Sequence, residues 1–279
     1  MPKAKVNGVE LNFEVRGDGY PLVLAHGFTA SLDMWAHQVP SLAKEYRVVV
    51  YDSRGHGASE APTDLGQYDL WTCAEDQRAL MDHLGIAEAY VGGLSMGGMI
   101  AMRFALKYPQ RVRALLLCDT GPGLQGPHRH WFDALYGSAQ QVVRTEGVSG
   151  WLKRVWPVLA QTFPPQGQLP AGVRRHLEGL ARMSGDGFLG GAQALRDQDN
   201  VLERLSEIRV PTLIIVGDRD LLLADSRAMQ QRIAGNRFVL IRDSLHGSAV
   251  WQPEAFTTAV TDFLALVDAG APVAGEQVL

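Results

Sequence analysis

The chain has 279 residues, 46% of them hydrophobic and 20% charged, with a formal net charge of -4. This is a globular composition, and it excludes the disordered, collagen-like and disulfide-scaffold classes. No run approaches the ~18 consecutive apolar residues of a membrane span, and no block of like charge suits a nucleic-acid backbone. Cys73 and Cys118 are too few for a disulfide framework or a zinc ribbon. Met1 to Lys5 runs into polar, strand-like text without an apolar signal region, so two reduced thiols and a cytoplasmic location are expected.

In chain order, Lys3 to Val6 and Val9 to Val15 read as two strands joined by an Asn7-Gly8 turn. The second alternates Val9, Leu11, Phe13 and Val15, the period of a half-buried strand. The text then changes. Pro21 to Ala25, Arg47 to Tyr51, Ala89 to Val91, Ala114 to Cys118, Thr212 to Val216 and Phe238 to Ile241 are short continuous apolar runs. Such runs mark strands covered on both faces, as in a parallel sheet. Between them, helical patterns cover Leu32 to Lys44, Asp69 to Leu84, Met96 to Lys107, Asp225 to Ile233 and Pro253 to Val267. The alternation predicts an α/β fold, an eight-stranded and mostly parallel sheet with helices on both faces.

One stretch interrupts it. Residues 119–211 are far more than a simple crossover needs. The segment 121–205, with Trp131, Trp151 and Trp156, reads as short helices broken by Pro and Gly turns, a helical cap on a core domain formed by 1–120 and 206–268. The tail 269–279 has no periodicity and is predicted to fray.

Gly93-Leu94-Ser95-Met96-Gly97 fits G-x-S-x-G between a short apolar strand and a helix. In that setting the serine hydroxyl stands exposed at the C-terminal edge of the sheet. A serine needs a base, and the base needs a carboxylate. His246 follows the last parallel strand. Asp218 and Asp220 follow the strand ending at Val216, and Asp119 follows the strand before it. All stand at the edge that Ser95 occupies. Of the other histidines, His128, His130 and His176 fall in the insert and are expected at the surface, as are His37 and His83 on helices. His56 reads as a loop-shaping residue.

These motifs resemble the serine hydrolases of the α/β-hydrolase superfamily. The likeness is carried by His26-Gly27-Phe28, Tyr51-Asp52-Ser53-Arg54-Gly55-His56-Gly57, Gly93 to Gly98, Gly217-Asp218-Arg219-Asp220, and His246 before Gln252-Pro253. Within the superfamily they are similar to the 3-oxoadipate enol-lactonase-like and small carboxylesterase branch. The resemblance implies Ser95 as nucleophile, His246 as base and Asp220 as acid, with Asp218 and Asp119 as alternatives. It implies an oxyanion hole from the backbone N–H groups of Phe28 and Met96. The expected activity is hydrolysis of a small-molecule ester or lactone. Carbon–carbon hydrolysis, perhydrolysis and acyl transfer on the same residues are alternatives, and a non-catalytic binding protein is a more distant one. Insert aromatics, above all Trp131, Tyr136 and Trp156, are candidates for an apolar substrate pocket. No cofactor and no metal is expected, since no Cys/His cluster occurs and Ser95 supplies the nucleophile. No nucleic-acid or membrane partner is expected, and a homo-oligomer stays open.

Overall fold

A computed structural model describes residues 1–123, 126–137, 139–159 and 169–279. The core is built of β1 (Lys3–Val6), β2 (Val9–Arg16), β3 (Tyr20–Ala25), α1 (Val39–Leu42), β4 (Tyr46–Tyr51), α2 (Leu70–His83), β5 (Ala89–Leu94), α3 (Met96–Lys107) and β6 (Val112–Cys118). Among the described residues there follow α4 (Gly126–Gly137), α5 (Ala139–Leu159), α6 (Ala171–Arg182) and α7 (Gly185–Asp197). The core then resumes with β7 (Thr212–Gly217), α8 (Leu223–Arg232), β8 (Arg237–Ile241), α9 (Ser248–Trp251), α10 (Pro253–Asp268) and β9 (Gly275–Val278).

The sheet order is β1-β2-β4-β3-β5-β6-β7-β8-β9. β1 and β2 pair antiparallel, as do β2 and β4, and the remaining neighbours are parallel. The continuous apolar runs have a direct cause. Alternate residues of each strand enter two cores, one on each side of the sheet. Val23, Val49, Val91, Leu115, Leu117 and Ile214 pack beneath α2, α3 and α8. Leu22, Leu24, Val48, Val50, Leu116 and Ile215 meet Trp35, Phe256 and Phe263 on the other side. Burying one such side chain contributes about 1.5–3 kcal/mol.

Two expectations need correction. The predicted helix over Leu32 to Lys44 is a 3₁₀ turn at Leu32–Trp35 followed by the short α1. Pro40 can stand only in a first helical turn, so it starts a new helix there rather than continuing an old one. The tail does not fray: Gly275–Val278 adds β9 beside β8, so the sheet has nine strands rather than eight. The outer edge of β8 would otherwise present unpaired main-chain groups. The tail satisfies them with its own backbone, ending on a bond from the Arg242 N–H to the Leu279 carbonyl at 2.7 Å. Its side chains are mostly exposed, which left no hydrophobic period to read.

The insert has a core of its own, with Val143, Val148, Trp151, Leu180, Phe188 and Leu189 at its centre. α5 is broken at Gly147, whose φ of 71° an L side chain would resist. The insert meets the core where backbones touch: a Cβ on Gly187 would fall 2.0 Å from the Gly55 carbonyl oxygen. Among the described residues, no helix is long and apolar enough to cross a membrane.

Candidate active site

The turn from β5 into α3 explains why its glycines are glycines. A Cβ on Gly93 would lie 2.4 Å from the Gly97 carbonyl carbon. One on Gly97 would lie 2.1 Å from the Ala25 oxygen, and one on Gly98 would meet the Thr120 side chain at 2.6 Å. The strand, the helix and the end of β3 therefore close on one another. Ser95 between them is held at φ 55°, ψ -117°, a conformation that costs of order 1–3 kcal/mol in a non-glycine residue. Its neighbours hold it there. The Ser95 N–H donates to the Cys118 carbonyl at 2.9 Å, and Thr120 Oγ1 donates to the Ser95 carbonyl at 2.7 Å.

His246 and Asp220 come to this point from the loops after β8 and β7. The His246 Nε2 lies 3.0 Å from Ser95 Oγ, and His246 Nδ1 lies 3.0 Å from both carboxylate oxygens of Asp220. A carboxylate can only accept, so Nδ1 carries the ring proton and Nε2 offers its lone pair to the serine. Asp220 is buried and also accepts the Leu222 N–H at 2.8 Å. The two loops are fastened together, with the Arg219 N–H donating to the Ser244 carbonyl at 3.0 Å.

The two alternative carboxylates occupy other places. Asp218 accepts the Ser244 N–H at 3.1 Å and braces the base loop. Asp119 is fully buried, accepting the Gly217 N–H at 3.0 Å on one oxygen. Its other oxygen accepts the N–H and Oγ–H of Ser248 at 2.7 and 2.6 Å. It thus bridges the segments that carry Asp220 and His246 without bonding the imidazole. Burial pushes the Asp119 carboxyl up to about 7, with the charge of Asp220 adding to the shift. Burial also opposes charge on His246 and on Asp220. The attraction between the two outweighs it, holding His246 above the ordinary imidazole value of 6.5 and Asp220 below the ordinary carboxyl value.

Phe28 and Met96 flank the serine. An ideal Cβ on Gly27 would lie 3.5 Å from the Ser95 Cβ, so the main chain entering Phe28 runs in contact with the elbow. Its carbonyl partner is fixed: His26 Nδ1 donates to the Gly27 oxygen at 2.7 Å, while His26 Nε2 accepts the Ser53 N–H at 3.0 Å. The Gly27 carbonyl and the Phe28 N–H belong to one peptide plane, so this bond orients that N–H. Burial holds His26 neutral, at about 4.

His176 corrects the surface expectation. Its Nε2 stands 3.3 Å from Thr29 Oγ1, which itself donates to the Phe28 carbonyl at 2.6 Å. Burial, and after it the nearby His246, lower it to about 4. The missed signal was local: Val173, His176 and Leu180 recur at helical spacing, and both apolar members are buried.

Of the proposed pocket aromatics, Tyr136 lies in a cluster of rings. Its centroid is 4.4 Å from Phe132, 5.4 Å from Trp151, 5.5 Å from Phe28 and 5.6 Å from Phe188. Trp156 is half-buried farther along α5. The side chain of Trp131 lies outside the described residues. His37, His83 and His130 are exposed as expected, whereas His56 is buried with its Nδ1 on the Arg54 carbonyl.

Comparison with known proteins bears on this geometry. Residues 20–148 match the family model described as alpha/beta hydrolase fold. The chain is 31% identical to 3-oxoadipate enol-lactonase 2 of Acinetobacter baylyi over 263 residues, covering 90% of this chain and 92% of that one. An enol-lactonase structure from Burkholderia xenovorans LB400 superimposes with a TM-score of 0.78 at 30% identity, covering 95% of this chain and all of that one. A thermophilic esterase structure from Thermogutta terrifontis gives a TM-score of 0.81 at 29% identity, covering 96% and 99%. With an unbroken serine–histidine–aspartate chain on this scaffold, the protein is a hydrolase and belongs to the α/β-hydrolase family.

Proposed function

We propose that the protein hydrolyses a small-molecule carboxylic ester or lactone through an acyl-enzyme on Ser95. The observation that carries the reading is the continuous hydrogen-bond chain from Asp220 through His246 to Ser95, each link 3.0 Å long. The likeness to an enol-lactonase and an esterase over more than nine-tenths of the chain supports the choice of bond.

The chemistry follows from the proton positions. Ser95 Oγ attacks the acyl carbon while His246 Nε2 takes its proton, and the oxyanion forms between the Phe28 and Met96 N–H groups. The protonated imidazole returns the proton to the leaving alkoxide as the C–O bond breaks. Water then repeats the sequence on the acyl-enzyme and releases the acid. With a lactone the leaving oxygen stays tethered, so the product is one hydroxy acid. Proton transfer of this kind contributes ~10²–10⁴ in rate, and each oxyanion donor about 3 kcal/mol. The insert closes over this edge as a cap, and its aromatic rings form an apolar wall for the substrate.

A fluorophosphonate probe tests the nucleophile and a panel of p-nitrophenyl esters and simple lactones tests the reaction. The expected result is labelling of Ser95 and turnover that vanishes in Ser95→Ala. Turnover that survives the substitution overturns the reading.

A further inference from the structure

We infer that the acyl site takes an uncharged substrate and turns away an acyl chain that carries a carboxylate. The inference rests on the hydrolase reading and adds the substrate class to it.

Negative charge is already concentrated behind the imidazole. Asp220 and Asp119 are both buried there, and His246 is the cation-forming group that faces them. Among the described residues, no Lys or Arg lies within ion-pair distance of either carboxylate. The wall beside the elbow is aromatic: the half-buried rings of Phe28 and Tyr136 stand 5.5 Å apart, backed by the buried Phe132 and Phe188. The polar group that α6 brings to this wall, His176, is held neutral by its surroundings.

The buried positive charges of the molecule are committed elsewhere. The undescribed stretches contain no Lys or Arg at all. The two buried arginines are each paired, Arg54 with Asp76 at 2.6 Å and Arg103 with Asp199 at 2.7 Å. On α6 the inward face carries Val173, His176 and Leu180. Arg174, Arg175 and Arg182 project from the opposite side, about 130° or more around the helix axis. Arg129 on α4 is bound to Asp133 at 3.0 Å. A carboxylate in the substrate would therefore lose its water beside aromatic rings, without a counter-ion, in front of the ionised Asp220 and of Asp119, whose carboxyl is pushed up to about 7. A buried charge without a partner is among the costliest arrangements a site can adopt.

The test uses two p-nitrophenyl esters of nearly the same shape, the 4-methylpentanoate and the succinate monoester. Each enzymatic rate is divided by that ester's own hydroxide-catalysed rate. The expected result is a kcat/KM at least about a hundredfold higher for the neutral ester. A preference below tenfold, or one reversed in favour of the succinate, overturns the inference while leaving the hydrolase reading intact. Should neither ester turn over although the fluorophosphonate labels Ser95, 3-methylbutylboronic acid and 2-carboxyethylboronic acid decide it as competing inhibitors of that labelling, by the same ratio. A serine that the probe leaves unlabelled overturns the hydrolase reading, and this inference falls with it.

Discussion

The sheet edge and the insert hold their side chains by different means. At the edge, main-chain hydrogen bonds do the holding. Ser95 is pinned to Cys118 and Thr120, Asp220 to Leu222, and the base loop to Asp218 and Asp119. In the insert, ring packs on ring, with Trp151 against Phe188 at 4.8 Å and Tyr136 stacked on Trp151. Directional bonds allow one arrangement, whereas an apolar cluster of preserved volume tolerates several. On the reaction proposed above, the edge fixes the chemistry and the insert is free to vary around it.

The largest expected effect strikes the edge. Ser95→Ala should lower kcat about 10⁶-fold while substrate affinity changes little, because the three residues act as a unit. Single-turnover kinetics beside equilibrium binding would check this. Next comes Asp220→Asn, expected to cost about 10⁴ in kcat. Its amide can offer an N–H to Nδ1, which shifts the ring proton to Nε2 and leaves no lone pair for the serine. The pH profile sharpens the point. His246 must be unprotonated to act, and Asp220 raises its pKa, so the acid limb of kcat/KM in the unaltered protein should lie above pH 6.5. In Asp220→Asn the limb should move to lower pH, since burial then meets less opposition. A limb that stays put would break the electrostatic account.

The insert should respond in stability and KM. Phe188→Ala removes a fully buried ring and should cost about 3–5 kcal/mol in denaturant unfolding, with kcat of the folded fraction within tenfold of the original. A fall in kcat as deep as that of Asp220→Asn would erase the distinction between the two regions. The smallest effect is expected for His176→Ala. It loses one hydrogen bond to Thr29, worth about 1 kcal/mol, and should raise KM roughly fivefold with little change in kcat.

The edge was largely legible beforehand because its chemistry demands special backbone. Gly93, Gly97 and Gly98 can be nothing larger, and Ser95, Asp220 and His246 stand where strands end. Tyr51 ends β4, and it and the Asp52 and Arg54 that follow make buried bonds to Gln77, Leu32 and Asp76. Of the three carboxylates the spacing left open, Asp220 lies 3.0 Å from His246 Nδ1, while Asp218 accepts the Ser244 N–H and Asp119 accepts from Gly217 and Ser248. The insert was harder. An aromatic residue reads alike whether it packs inward or lines a pocket, and a histidine on a helix declares its side only once the helix is oriented. His176 was misread for that reason. The 3₁₀ turn before α1 hid inside a helical pattern that Pro40 divides.

The short ninth strand has a bearing on solubility. Behind it β8 reads Arg-Phe-Val-Leu-Ile, a stretch rich in β-forming residues whose outer row of peptide groups the tail now occupies. β9 itself carries Glu276 and Gln277, tied to Arg227 and Arg237, and is a poor template for a stranger's strand. The last residues thus act as a guard on the sheet. A protein shortened by residues 269–279 should keep its chemistry but cluster through the bared β8, with light scattering that climbs as the concentration is raised.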